Sequence, residues 1–179
     1  MSVAIEVLGA EQAARERDGL VALLTDAVDS GASVGFLPPL AAADGEAYWR
    51  GVVEAVRDGS CILLGARELD GTLVGTAQLL LTTRPNGSHR AEVAKVIVHT
   101  KARRRGIGRA LMLAIEERAR GLGRTTLVLD TRRGDPSEPL YTSVGYTLAG
   151  VIPRYARRAD GALDPSAFYD RLLSEGGQP

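Results

Sequence analysis

Cysteine and histidine are nearly missing from this 179-residue chain, which holds one cysteine, Cys61, and two histidines, His89 and His99. A single thiol excludes an internal disulfide, and so few thiol and imidazole ligands cannot build a Cys/His cluster, so no metal is expected. Cys61 has no histidine close to it in sequence, and a small buried hydrophobe is the expectation rather than a nucleophile. Net charge is missing as well, since 22 basic side chains balance 22 acidic ones. Nothing global then attracts nucleic acid or an anionic membrane, and neither is expected as a partner. The N-terminal run Met1-Ser2-Val3-Ala4-Ile5-Glu6 lacks the basic region and long apolar stretch of a signal peptide. A reducing cytoplasm is the expected compartment. No Gly-Lys-Ser/Thr triplet occurs, so a P-loop is excluded.

What the chain does have is 45% apolar residues, enough for one substantial core and a single domain over 1–179, with 175–179 as a disordered tail. Helical spacing predicts a helix over 11–30, stopped by Gly31, and a second from a cap at Asp44 to Arg57. Trp49 lies in the apolar stripe of the second, as core or as pocket lining. Gly35-Phe36-Leu37-Pro38-Pro39-Leu40 is irregular and proline-stiffened, either a connector or a loop on the substrate side. Strands are expected at 60–68 and 72–81 around the Asp70-Gly71 turn, and another at 91–99 after Arg84-Pro85-Asn86-Gly87. Tight turns make these three antiparallel. A short strand at 125–130, a short helix from Ser137 to Val144, and last strands at 146–152 and 167–173 complete the reading.

The stretch from Glu92 to Leu122 organises the rest. A β-branched strand is followed by Arg103-Arg104-Arg105-Gly106-Ile107-Gly108, which opens a helix with apolar residues at Ile107, Leu111, Ala114, Ile115, Ala119 and Leu122. A helix N-terminus offers unpaired N–H groups, glycines let an anion reach the backbone, and arginines add full charges. The bland alternative is a solvated charge run at a plain turn. Strand, basic glycine turn and amphipathic helix in that order favour a phosphate site. A dinucleotide fingerprint would use Gly106 and Gly108 but would place bulky Leu111 at its third small position, leaving Asp130 as a weakly placed ribose acid.

Arg103-x-x-Gly106-x-Gly108 resembles the pyrophosphate loop of the GNAT family of N-acetyltransferases. Gly106-x-Gly108-Arg109-Ala110-Leu111, Leu129-Asp130-Thr131 and Leu140-Tyr141-x-x-x-Gly145-Tyr146 follow in that family's order. Gly134-Asp135-Pro136 and the tail Ile152-Pro153-x-Tyr155-Ala156-Arg157, with Asp160-Gly161 and Phe168-Tyr169, further resemble the tabtoxin-resistance acetyltransferases, which act on a small amino-acid-like toxin. The resemblance implies a mixed α+β fold: a mostly antiparallel central sheet with one parallel strand-helix-strand unit at the acetyl-CoA site, and helices on both faces. It implies acetyl-CoA as cosubstrate, held by Val96, Ile97, Val98, Arg103, Arg104, Arg105, Gly106, Ile107, Gly108, Arg109, Ala110, Asp135, Ser137 and Tyr141. It also implies direct acetyl transfer, in a ternary complex, to a primary amine of a small amino-acid-like, toxin-like or antibiotic-like molecule, with a role in resistance. Tyr141 would then be the acid that serves the departing thiolate. A coenzyme A-binding sensor of the same fold, without turnover, is the alternative.

Glu92 and Asp130 are the candidate bases. Strand alternation puts Glu92 on one face with Ala94, Val96 and Val98, and Asp130 ends the parallel neighbour. A bulge in the Glu92 strand would reverse that parity. Glu92 is expected to accept the amine's proton, directly or through a water, with Asp130 orienting the amine. The plainer readings are a Glu92 pair with Arg90 or Arg132 and an Asp130 that only caps its loop.

Overall fold

The computed structural model describes residues 3–173. The tail expected at 175–179 lies outside the described residues. Strands β1 (Ala4–Val7), β2 (Cys61–Arg67), β3 (Leu73–Leu81), β4 (Arg90–Val98), β5 (Thr126–Arg132), β6 (Thr147–Arg157) and β7 (Leu163–Leu172) form one sheet in the order β1-β2-β3-β4-β5-β7-β6. Every neighbouring pair is antiparallel except β4 with β5, which is parallel. The expected mixed sheet with one parallel unit is therefore present. Gly71, at a φ of 88°, makes the β2–β3 turn in a conformation that favours glycine.

Helices cover both faces: α1 (Ala10–Arg15), α2 (Arg17–Asp29), α3 (Ala42–Arg57), α4 (Ile107–Gly121) and α5 (Glu138–Ser143). On α4, Ile107, Leu111, Ile115 and Ala119 recur at one turn's spacing and are all buried, in a core shared with Leu79, Val93 and Leu127 of the sheet. Leu111 is fully buried, so truncating it to alanine should cost about 2–5 kcal/mol in lost contacts and cavity. A second core on the other face joins Leu20, Leu23 and Leu24 of α2 to Trp49 and Val53 of α3. Trp49 is fully buried there and lines neither of the two cavities at the site.

Several local expectations differ from the structure. The helix expected over 11–30 is two helices broken at Glu16, whose carboxylate is held by Arg67 of β2 together with Glu6. Asp44 does not cap α3. Ala41 holds the N-cap position and Asp44 sits in the first turn, where its charge still complements the helix dipole. Ser137 precedes α5, but its hydroxyl lies 2.9 Å from that of Thr131 instead of capping the helix. The last two strands are longer than their apolar patterns: β7 extends back to Leu163 by pairing with β6, which is the sheet's edge and is exposed along nearly all its length. Pro153 is tolerated there since an edge strand leaves one side of its backbone unpaired.

Candidate active site

The parallel ladder of β4 and β5 is short. Arg90 pairs with Thr126, Ala91 with Leu127 and Glu92 with Val128, and there the pairing stops, although β4 runs on to Val98 and β5 to Arg132. The strands part like an open V, leaving β4 beyond Glu92 without a strand partner on the β5 side among the described residues.

On its other side β4 is irregular at the same level. Gln78 of β3 faces Ala94 and Thr76 faces Ile97, so Lys95 and Val96 together oppose Ala77. Lys95 has a φ of 49°, the left-handed region that a lysine rarely adopts. This bulge reverses the side-chain parity of the strand. Ala91 and Val93 are buried in the α4 core, yet Ile97 is buried in the core of α2 and α3. Val96 and Val98 pack toward α4. The expected common face for Glu92, Ala94, Val96 and Val98 is thus corrected: Glu92 and Ala94 lie on the Ile97 side, opposite to Val96 and Val98.

Two cavities meet at the gap. One, of about 530 Å³, is lined by Glu92, Lys95 and Asp130, by the 32–37 loop, and by Tyr155 and Arg157 of β6. The other, of about 470 Å³, is lined by Val96, Ile97, Val98, Arg103, Arg104, Gly106, Ile107, Gly108 and Arg109. Val96, Asp135, Ser137 and Tyr141 belong to both linings.

The second cavity fits a pyrophosphate ester. The backbone N–H groups from Arg104 through Arg109 have no hydrogen-bond acceptor among the described residues; the first helical bond of α4 is from Ala110 N to Gly106 O. Arg104 and Gly106 have positive φ values of 63° and 80°, so left-handed residues alternate with ordinary ones and the N–H groups converge as an anion-binding nest. Gly108 has a different role, because a Cβ there would come within 3.0 Å of Leu140. It permits α4 to lie close to α5. Arg103 donates to the Val98 carbonyl at 3.1 Å and to the Ser30 hydroxyl at 2.8 Å, tying the loop to β4 and to the end of α2. Arg109 reaches the Ser143 carbonyl.

Two residues expected at this loop stand apart from it. Arg105 turns away and donates to Glu68 at 2.6 Å, and Ala110, half-buried, does not line the cavity. Asp135 lines the cavity, but its carboxylate is engaged by Arg132 at 3.3 Å and it accepts from Ser137 N at 2.9 Å.

In the first cavity Glu92 is exposed and makes no ion pair or hydrogen bond among the described residues, so neither Arg90 nor Arg132 holds it. Asp130 accepts a hydrogen bond from the Ser166 hydroxyl at 2.7 Å. Tyr141, on α5, is buried at the junction. Burial pushes its hydroxyl up to about 12, partly offset by the neighbouring Ser137 hydroxyl. Lys95 was not anticipated. Its ammonium lies 5.6 Å from the centre of the Tyr48 ring and 3.7 Å from where a Cβ on Gly35 would stand. Burial lowers its pKa from the ordinary lysine value, opposed by the charges of Asp130 and Glu92. A lysine set directly between Ala94 and the apolar run Val96-Ile97-Val98 was the signal available in the sequence. Tyr48, in turn, exchanges hydrogen bonds with Gln78 at 2.8–3.0 Å.

Among the described residues no helix is long and apolar enough to cross a membrane. Comparison with known proteins gives this geometry its context. Residues 36–146 match the family model described as the acetyltransferase (GNAT) family. An uncharacterized N-acetyltransferase from the hisH-hisA intergenic region of Azospirillum brasilense is 35% identical over 116 residues, covering 64% of this chain and 67% of that protein. Solved structures share the fold. The ribosomal-protein-alanine N-acetyltransferase of Brucella melitensis superposes with a TM-score of 0.80 at 24% identity, covering 95% of this chain and 99% of that one. A GNAT superfamily phosphinothricin acetyltransferase from Sinorhizobium meliloti, solved with AcCoA, gives 0.81 at 21% identity over 100% and 94% of the two chains. A gap between parallel strands facing a nest of free amides is thus set in a chain of which more than half fits one family's pattern, and this protein belongs to the GNAT family of acetyltransferases.

Proposed function

We propose that the protein transfers the acetyl group of acetyl-CoA to a primary amine of a small amino-acid-like, toxin-like or antibiotic-like molecule, by direct attack while both are bound. The observation that supports this reading is the meeting of the two cavities at Val96 and Tyr141. One has the donors for a pyrophosphate, the other has Glu92 and Asp130, neither in an ion pair among the described residues, for an amine, and the thioester would lie where they join.

The nest from Arg104 to Arg109 would hold the pyrophosphate, with Arg103 bracing the loop. The side of β4 at Val96, Ile97 and Val98 that has no neighbouring strand among the described residues would receive the pantetheine amides as a strand does, beside the Val98 carbonyl that Arg103 holds. Acetyl-CoA supplies an activated acyl group, and the protein's part is to place the amine and manage its protons. An amine of pKa near 10 is only about 0.1% neutral at pH 7, which withholds roughly 4 kcal/mol from attack. Glu92, solvent-facing in the acceptor cavity, takes that proton directly or through a water. Asp130, fixed by Ser166, orients the ammonium as it arrives.

Tyr141 serves the leaving group. A phenol held up to about 12 is a weaker acid than a thiol near 8.5, so full transfer to a departing thiolate is uphill by about 5 kcal/mol. Its contribution is therefore a hydrogen bond to the developing negative charge, with the proton following from the attacking amine or from water.

The test is release of free coenzyme A thiol from acetyl-CoA over a panel of amino acids, polyamines and aminated antibiotics, alongside calorimetric titration of coenzyme A. Turnover with at least one amine is the expected result. Tight coenzyme A binding with no release over any acceptor would replace this reading with that of a sensor, and absence of binding at millimolar concentration would sink both.

A further inference from the structure

We propose that Lys95 is a self-acetylation site, taking the acetyl group from acetyl-CoA bound to its own chain when no other amine fills the acceptor cavity. The proposal rests on the acetyl-CoA reading above.

Placement is the first ground. Lysine is scarce in this protein, Lys95 and Lys101 being the only two in the sequence, and Lys95 alone lines either cavity among the described residues. The bulge turns its side chain to the acceptor side of β4 while the next residue, Val96, stays at the junction where the thioester would lie. The ammonium rests on the face of Tyr48, and no acid holds it within ion-pair distance among the described residues. A four-carbon stem without an ionic tether moves between rotamers, and Lys95 is the immediate neighbour of Val96, which lines both cavities.

Chemistry is the second ground. Glu92, expected to deprotonate an incoming amine, and Asp130, expected to orient it, face the same cavity and act on the Lys95 charge. Burial lowers the pKa of this lysine, which enlarges its neutral, nucleophilic share at pH 7. The ammonium gives one proton to Glu92, directly or through a water, and its nitrogen lone pair forms a C–N bond at the thioester carbonyl. The C–S bond then breaks, and the second nitrogen proton goes to the coenzyme A thiolate. The products are Nε-acetyl-Lys95, coenzyme A and one proton released to solvent. The amide no longer carries charge and lengthens the side chain inside the acceptor cavity, so modification should block acceptor entry.

The experiment uses the full chain incubated with ¹³C-acetyl-CoA and no added amine, followed by intact mass and peptide mapping, with coenzyme A binding measured separately by calorimetry. One acetyl group on Lys95 is expected, with exposed Lys101 unlabelled. Excess desulfo-coenzyme A should suppress the label, and Glu92→Gln should slow it at least tenfold. Lys95→Arg, which keeps the charge, should show no label at this position. Labelling of Lys101 as fast as Lys95 would mean ordinary solution chemistry and would overturn the proposal. So would coenzyme A binding with Lys95 unmodified, an outcome that leaves the acetyltransferase reading standing. Absence of coenzyme A binding would remove that reading itself, and this one with it.

Discussion

Glu92 pairs with Val128, and no rung of the β4–β5 ladder follows. Two residues further along β5 stands Asp130, which lines the cavity opened by that parting. The two carboxylates therefore flank the mouth of the gap from adjacent parallel strands, without an ion pair to a cation among the described residues.

Replacement of Glu92 by glutamine should lower kcat by about 100- to 10,000-fold at pH 7, with partial recovery toward pH 9 as the free amine becomes abundant. Steady-state rates across pH 6–9, with the acceptor found by panel screening, measure this. If Glu92→Gln keeps wild-type kcat while Asp130→Asn loses it, the roles are reversed.

Gly106→Val should weaken coenzyme A binding more than it weakens the fold. The position has open space for a side chain but a φ of 80°, which costs a β-branched residue about 1–3 kcal/mol and would misalign the amides that follow. Calorimetric affinity, set beside the thermal midpoint, separates the two effects. At Gly108 the cost should fall on stability as well, since a side chain there meets Leu140.

Tyr141→Phe should slow turnover by about 10- to 100-fold if the phenol supports the leaving thiolate only through a hydrogen bond. Full activity in the variant would reduce Tyr141 to a packing residue between α5 and the sheet.

Alkaline pH should destabilise the protein from about pH 10 upward. The folded state keeps Tyr141 protonated up to about 12, while the unfolded chain releases that proton near 10, so the unfolded state binds fewer protons in between and stability falls as pH rises. Burial raises Tyr48 and Tyr146 in the same direction. The Tyr141 share is about 3 kcal/mol, present below pH 10 and lost by about pH 12. Denaturant unfolding at pH 8, 10 and 11 should show the decline, smaller in Tyr141→Phe. An equal decline in both proteins would assign it elsewhere.

Gly145→Ala should cost about 2–4 kcal/mol of stability. Gly145 has a φ of 91°, and a Cβ there would fall inside the Arg171 guanidinium, which donates to the Gly145 carbonyl and approaches Glu116 at 3.7 Å. Glu116 is only 3% exposed, so displacing its cation leaves a buried charge less well compensated. Thermal unfolding of the variant checks this, and a midpoint within a degree of wild type would contradict it.

Local sequence determined most of the elements and their order, though not the break at Glu16 that splits the first helix in two. The Ile107–Leu111–Ile115–Ala119 stripe at one turn's spacing calls for a helix with one face against a core, and glycine at 71 and 106 answers to backbone conformations that other residues resist. These are short-range constraints, and so the antiparallel strands, the parallel unit and the basic loop before α4 were all legible in the chain. Which residues face the acceptor was not. The parity of β4 reverses at Lys95 because Lys95 and Val96 share one partner on β3, a property of two strands in register rather than of either alone. Likewise, Arg105 reads as one more loop cation until Glu68, distant in sequence, claims it. Long-range pairing, which composition and periodicity do not encode, placed Glu92, Lys95 and Asp130 around one cavity and left the nest of α4 open beside it.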